Sequence, residues 1–176
     1  MKLKLNVISA ADTLPPVEEL ADAARYGVEV LIKNHLRSRN NSRPSRGLMP
    51  KTNYYADAAE SVTSATKNNQ IEVTISQEGI SLHYYGGMIL PFKGKALAIP
   101  QHPIVYDQKP SEFDPSRMIL NCVWPKGRTA GTLRHKESGE ILYLLIPRAN
   151  IPADRTVLPN ETDITAAANN AMESII

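Results

Sequence analysis

The sequence predicts an α+β protein in which a curved antiparallel sheet of about five to six strands packs against three helices. Three stretches carry apolar residues at intervals of three and four, two of them before residue 66 and one after residue 160, as amphipathic helices require. Between them lie short runs in which apolar and polar residues alternate, as in strands. Because these strands follow one another without intervening helices, they are expected to pair antiparallel.

The first predicted elements are a strand over residues 2–7 and a helix of about 22 residues that starts near Pro16. Proline suits the first turn of a helix, and the acidic pair Glu18 and Glu19 suits its positive N-terminal end. Gly27 lies inside this helix, where glycine costs about 1 kcal/mol relative to alanine. Close packing at that position would explain its presence.

A mobile basic loop is predicted after this helix, at about residues 37–52 of a single domain that spans residues 1–176. Arginine, asparagine, serine and proline dominate the segment, and these residue types favour turns over regular structure. A second, shorter helix is then predicted from its N-cap Asn53 to about Ala65, with small residues on its apolar face.

The middle of the chain is predicted to form two antiparallel hairpins and two further strands. Residues 141–146 are apolar on both faces, which indicates a central strand or a covered edge. A last helix is predicted to begin at the N-cap Asn160 and to bury a stripe that includes Ile164. The hairpins pair residues 71–75 with 80–84 and residues 133–134 with 140–146, and the further strands span residues 96–99 and 118–124.

Composition excludes several classes of protein. The 20 basic and 18 acidic residues leave a net charge of +2, which argues against a globally polycationic nucleic-acid binder. One cysteine, Cys122, excludes an intramolecular disulfide framework and a cysteine-only zinc site. The longest apolar run, residues 141–147, is far shorter than the ~20 residues of a membrane span. We therefore expect no membrane partner and a location in the cytoplasm.

No grouping of titratable residues predicts an enzyme. The four histidines lack the spacing of a helical metal site, and neither a phosphate-binding loop nor a nucleophile elbow is present. Cys122 is predicted to be a small buried apolar residue within a strand rather than a nucleophile. One alternative stays open, a metal-dependent hydrolase site formed by His83, His102 and Asp107. Otherwise we expect no catalytic residue, cofactor, metal or small-molecule substrate.

The strongest charge feature is the segment at residues 33–51, which has six lysines or arginines and no acid. Such a segment could contact phosphates with salt-dependent, sequence-independent affinity, so a small DNA-binding protein is the second alternative. A solvated loop, or contact with an acidic patch on another subunit, is favoured because no aromatic residues interleave the cations.

An ordered set of six short motifs lies between about residues 20 and 176. In order, the motifs are residues 43–46 (RPSR), 52–59 (TNYYADAA), 83–91 (HYYGGMILP), 95–100 (KALAIP), 144–146 (LLI) and 151–153 (IPA). This set resembles the phage virion morphogenesis and tail completion family. After residues 151–153 the family usually continues with Arg-Pro, whereas this chain has Asp154 and Arg155.

The resemblance implies a structural protein, not an enzyme, that completes the tail of a tailed phage or prophage as a tail terminator or joins the tail to the head. Its expected partners are further copies of itself in a ring, a hexamer by analogy with tail tubes, together with tail-tube and head–tail connector proteins. Its expected location is the tail or neck of the virion, with the host cytoplasm during assembly.

Two sets of residues are predicted to serve that function. Apolar residues on a long loop commonly mark a partner surface, so one set is expected to insert into a neighbouring subunit or, alternatively, to fold back on its own sheet. The other set is expected to face a lumen and touch passing DNA weakly. The interface set is Met88, Ile89, Leu90, Phe92, Lys93 and Lys95, and the lumen set is Arg37, Arg39, Arg43 and Arg46.

Overall fold

A computed structural model describes residues 2–6, 15–42, 53–67, 70–92, 94–106, 109–112 and 120–176. The predicted α+β class is confirmed, with a long N-terminal helix, short helices, a C-terminal helix and antiparallel sheets. The strands are distributed among three sheets and the described residues divide into two compact units. Unit 1 comprises the described residues of 1–43, 53–86 and 152–176, and unit 2 those of 87–151. A single domain stays a prediction.

Unit 1 contains a three-stranded sheet and four helices. The central strand β3 (Gln70–Ile75) pairs antiparallel with β1 (Lys2–Asn6) and with β2 (Val62–Lys67). Alternation in β3 buries Ile71, Val73 and Ile75 on one face, as period-two side chains require. The helices are α1 (Val17–Ser42), α2 (Tyr54–Glu60), α3 (Ile80–Tyr85) and α4 (Glu161–Glu173).

The core of unit 1 is a cluster of fifteen buried residues drawn from the four helices, the sheet and the turn that precedes α4. In α1 the buried positions recur every four residues, at Ala24, Val28, Ile32 and Leu36. This is the apolar stripe expected of a helix that packs along one face. Burial of that stripe, more than helix propensity, stabilises so long a helix.

Close packing explains the glycine inside α1. A Cβ atom on Gly27 would lie 2.7 Å from the carbonyl oxygen of Ala167 and 2.7 Å from the Cβ of Ala171. Both of these residues belong to α4, so α1 and α4 approach each other at a point where no side chain fits. The small residues of α4 and the missing side chain of Gly27 together permit this short helix–helix distance.

Two predicted elements of unit 1 are wrong. Residues 80–84 form helix α3 instead of the second strand of a hairpin, because Ile80 and Tyr84, four residues apart, both pack on the core as one helical face. The second helix ends at Glu60, and Val62 and Ala65 belong to β2. Half of the residues of β2 are β-branched, which favours a strand, and β2 pairs with β3 as a hairpin.

The predicted start of the basic loop is also wrong, because α1 continues to Ser42. Leu36 and Asn40 are buried on the inner side of these last turns, and Arg37 and Arg39 pair with carboxylates elsewhere in unit 1. These contacts outweigh the turn preference of the local sequence. Residues 43–52 lie outside the described part of the chain.

Unit 2 contains a four-stranded and a two-stranded antiparallel sheet. The four-stranded sheet has the order β5 (Leu97–Pro100), β8 (Ile141–Ile146), β7 (Gly131–His135) and β6 (Leu120–Val123). The predicted β7–β8 hairpin and the central position of β8 are confirmed. In the two-stranded sheet, β4 (Gly87–Ile89) pairs with β9 (Ala149–Ile151). The buried cluster of unit 2 consists of Val105, Leu142 and Tyr143.

The predicted cap of the last helix is confirmed. The side-chain oxygen of Asn160 accepts a hydrogen bond of 2.8 Å from the backbone N–H of Asp163, which satisfies one of the free donors at the helix start. Ile164 is buried one turn further on. None of the helices in the described ranges combines the length and apolar character that a membrane span requires.

Candidate functional site

The apolar segment, which we define as residues 87–92, carries four exposed large apolar side chains. The exposed fractions are 53% for Met88, 38% for Ile89, 63% for Leu90 and 94% for Phe92. Exposed large apolar residues are common singly, but four of them within five residues are costly in water and typical of a partner surface.

The backbone of the apolar segment is ordered by strand pairing, not left as a loop. Met88 pairs with Asn150 and Ile89 with Ala149 in the β4–β9 sheet. The backbone thus pairs with its own unit, as one alternative expected, while the side chains stay exposed. Among the described strands, β4 pairs only with β9. Lys95 is exposed, and Lys93 lies outside the described residues.

The two described arginines of the predicted lumen set are held in ion pairs within unit 1. The Arg37 guanidinium lies 2.7 Å from a Glu60 carboxylate oxygen, and this hydrogen bond holds the pKa of Glu60 below its ordinary value. Arg39 pairs with Asp154 and lies over the Tyr55 ring at 5.2 Å. Arg43 and Arg46 lie outside the described part of the structure.

Asp154 joins α1 to the turn that precedes α4, because its carboxylate contacts both Arg39 and Thr156. Hydrogen bonds from the hydroxyl and the amide of Thr156, together with the charge of Arg39, hold the pKa of Asp154 below its ordinary value. The Thr156 carbonyl in turn accepts hydrogen bonds from His35 Nε2 at 2.9 Å and from Arg39 at 3.1 Å. This turn, a 3-10 helix at Arg155–Val157, is therefore fixed against the C-terminal end of α1.

The tyrosine clamp, which we define as Tyr84, Tyr85 and Arg155, is a second candidate site and was missed by the sequence analysis. The Arg155 guanidinium carbon lies 4.6 Å from the centre of the Tyr84 ring and 4.9 Å from that of Tyr85. The two rings are nearly perpendicular, at 85°. Tyr85 is 57% exposed and Arg155 is also exposed. An arginine held in this way presents its N–H groups to solvent.

Backbone contacts between the end of α3 and residues 153–154 fix the position of the tyrosine clamp. The backbone N–H of Asp154 donates a 3.0 Å hydrogen bond to the carbonyl of His83. Gly86 ends α3 with a φ of +74°, and a Cβ atom there would lie 2.7 Å from the nitrogen of Ala153. Only glycine combines that conformation with so close an approach. The double glycine in the sequence signals this approach, but the arginine it brings to the tyrosines is distant in the chain.

A polar cleft of about 790 Å³ lies between the start of α1 and β2. Hydrogen bonds from Thr66 and Arg25 hold the pKa of Asp22 below its ordinary value. Glu29 accepts hydrogen bonds from Lys33, at 2.6 Å, and from Ser64, and these lower its pKa. Asp22, Arg25 and Ser64, which line the cleft, are thus already hydrogen-bonded, whereas Glu18, which also lines it, is joined by no hydrogen bond or ion pair to a described residue.

Two of the three residues of the alternative metal site belong to different units. His83 lies against the rings of Tyr54 and Tyr55 in unit 1, and the His102 ring nitrogen accepts a hydrogen bond from the N–H of Ile104 in unit 2. Asp107 is outside the described residues. Within those residues, no three histidine, cysteine or acidic side chains are placed to hold one ion.

The predicted burial of Cys122 is wrong, because the thiol is exposed. Its strand, β6, is an edge of the four-stranded sheet. Leu120 and Leu133 pack against the buried cluster of unit 2, but the cluster does not extend to Cys122.

Comparison of the chain with known protein families, with curated proteins and with solved structures finds no match.

Proposed function

We propose that this protein is a structural virion assembly protein that completes the tail of a tailed phage or joins the tail to the head, and that it acts as a ring of identical subunits. The single observation that carries the proposal is the apolar segment in the setting of the family resemblance. Met88, Leu90 and Phe92 are each more than half exposed, on or directly after a strand whose outer edge has no partner among the described residues.

The physical argument is that this surface gains stability only when another surface covers it. Burial of apolar area stabilises an interface by roughly 25 cal/mol per Å² before the costs of association. The free edge of β4 can also pair with an extended segment of another subunit, so that backbone hydrogen bonds set the register of the contact. Both features favour a protein whose function is to associate.

Deletion of the gene from the phage or prophage genome that carries it tests the proposal. We expect electron micrographs of the lysate to show tails of abnormal length, or separate heads and tails, and expect the wild-type gene supplied on a plasmid to restore joined particles. Normal numbers of infectious particles after deletion would overturn the proposal. So would a genome in which metabolic genes, not capsid and tail genes, flank this one.

The apolar segment is tested in the same complementation experiment. We expect Phe92→Asp to fail to restore joined particles, and to lower the mass of the purified protein in light scattering, because a carboxylate at the interface is costly to desolvate. Ile104→Asp is the matched control, since Ile104 is an exposed apolar residue of unit 2 outside the segment. Equal behaviour of the two variants would exclude the segment from the interface.

A further inference from the structure

We propose that unit 1 binds a second copy of this chain head to tail, with the acidic beginning of α1 of one copy docked on the tyrosine clamp of the next. This inference rests on the proposed ring and names one of its contacts. Its basis is charge complementarity between two exposed surfaces at opposite ends of unit 1.

The first surface is the clamp arginine, which has no acidic partner among the residues that the structure describes. The structure shows no hydrogen bond or ion pair of Arg155 with any described residue; its contacts are the rings of Tyr84 and Tyr85. The neighbouring arginines differ, since Arg37 and Arg39 are paired with Glu60 and Asp154. Among these three described arginines, Arg155 is thus the one that is positioned and still available.

Contact with the two tyrosine rings orders the Arg155 side chain before a carboxylate binds to it. The two rings restrict the side chain before binding, which lowers the conformational entropy that association would otherwise cost. The guanidinium edge keeps its parallel N–H donors, which match the two oxygens of a carboxylate. Exposed tyrosine next to arginine is also the composition found where interfaces concentrate their binding energy.

The second surface is the pair Glu18 and Glu19 in the first turn of α1. Both side chains are exposed, and no ion pair or hydrogen bond joins either carboxylate to a residue that the structure describes. The positive end of the helix favours two negative charges there. The pair is therefore available to a cation on another molecule.

The two surfaces lie at opposite ends of unit 1. Gly27 faces Ala167 and Ala171, whereas His35 and Arg39 contact Thr156, so α1 and α4 run antiparallel. Arg155 is consequently beside the last turns of α1. The twenty residues from Glu19 to Arg39 span about 30 Å of helix. A contact between different surfaces at opposite ends is heterologous, and repetition of it generates a closed ring or a filament.

Substitutions that reverse the charge of each surface test the inference. The mass of the purified full chain is measured by sedimentation at about 20 mM salt, where contacts between exposed charges are strongest. We expect Arg155→Glu alone, and Glu18→Arg with Glu19→Arg alone, each to weaken self-association about tenfold. An equimolar mixture of the two variants regains part of the association, since every contact then joins opposite charges.

Lys136→Glu is the matched control, because it reverses a charge on an exposed turn of unit 2 and should leave the mass unchanged. Circular dichroism establishes that each variant is folded. The inference is overturned if Arg155→Glu associates like the wild type, if the mixture does not associate, or if the wild type is monomeric at low salt. Loss of duplex DNA binding by Arg155→Glu with unchanged mass would assign the clamp to nucleic acid and would equally overturn it.

The salt dependence of self-association distinguishes the contact at the tyrosine clamp from the contact made by the apolar segment. At about 0.5 M salt exposed charges are screened, so Arg155→Glu should then behave like the wild type, whereas Phe92→Asp should still be defective. If the salt dependence is absent but gene deletion still yields unjoined particles, the clamp contact is wrong and the proposed function stands. If deletion leaves particles normal while the charge exchange succeeds, the contact stands and the function is wrong.

Discussion

The two units of this protein differ in how much of their apolar surface is buried. Unit 1 packs fifteen buried residues into one cluster, whereas the buried cluster of unit 2 has three. In unit 2 the large apolar side chains Leu90, Phe92 and Trp124 remain 63%, 94% and 44% exposed. Because buried apolar area is the main stabilising term in folding, unit 1 is expected to supply most of the stability and unit 2 most of the surface for partners.

The units also differ in how they use charge. The carboxylates whose pKa values are lowered by hydrogen bonds and ion pairs, among them Asp22, Glu29 and Asp154, belong to unit 1. They connect α1 to the sheet and to the turn before α4. Unit 1 is thus a rigid element that can carry exposed charges at fixed positions, while the apolar segment of unit 2 offers a surface for burial.

The largest effect is expected at the helix contact of unit 1. Gly27→Ala places a methyl group 2.7 Å from the carbonyl oxygen of Ala167, so the helices must separate. We expect the free energy of unfolding to fall by about 1–3 kcal/mol, although alanine favours an isolated helix by about 1 kcal/mol. Urea denaturation followed by helical circular dichroism measures this. Asn34→Ala, at an exposed position of α1, is the control and should not lower the free energy of unfolding, since alanine is the better helix former. A Gly27→Ala variant as stable as the wild type would show that the helix contact is not tight.

A smaller effect is expected in unit 2 at Gly131. A Cβ atom there would overlap the indole ring of Trp124, with Cδ2 at 2.9 Å. Because the indole is already 44% exposed, it can swing into solvent, so we expect a loss of about 1 kcal/mol and a red shift of the emission of the only tryptophan. Gly94→Ala is the control, since the nearest neighbouring atom is 3.8 Å away. Unchanged emission of Gly131→Ala would mean that Trp124 does not pack on this glycine.

The smallest effect concerns the pH dependence of unit 1. The hydrogen bonds from Lys33 and Ser64 lower the pKa of Glu29 in the folded state, so the ionised carboxylate stabilises the fold above its unfolded pKa of about 4.3. That stabilisation is lost as the pH falls through the folded pKa. We expect Glu29→Gln to cost about 1 kcal/mol or less at pH 7 and to match the wild type in acid. Stability curves from pH 7 to about pH 3 measure this.

Glu137→Gln on an exposed turn is the control for the Glu29 variant. If the difference in unfolding free energy between Glu29→Gln and the wild type stays constant with pH, the assigned role of Glu29 is contradicted.

Local sequence signals predicted the elements that depend on local physics. The apolar stripe of α1, the Asn160 cap of α4 and the β7–β8 hairpin are all confirmed. The errors fall where two patterns fit the same residues. Ile80 and Tyr84 satisfy both the strand period and the helix period. A strand would also place Leu82 on the same face, but Leu82 is not part of the core cluster, as a helix requires.

The candidate sites also differ in whether a local sequence signal reveals them. The apolar segment was found because Met88 to Phe92 is a run in the chain. The tyrosine clamp was not found, because Tyr84 and Arg155 come together only after α3 meets the turn before α4. Arg37 and Arg39 were assigned to a loop because no local signal reveals their partners Glu60 and Asp154.

By itself, then, the order of residues determined the class of the fold, the long helix, the cap of the last helix and the run of exposed apolar side chains, because each depends on neighbours a few positions apart. Only the tertiary structure decided which cations are paired, that Cys122 is exposed, and that Arg155 lies over the rings of two tyrosines. Those outcomes depend on contacts between distant segments, and a distant contact forms only when packing of the whole unit brings its partners together.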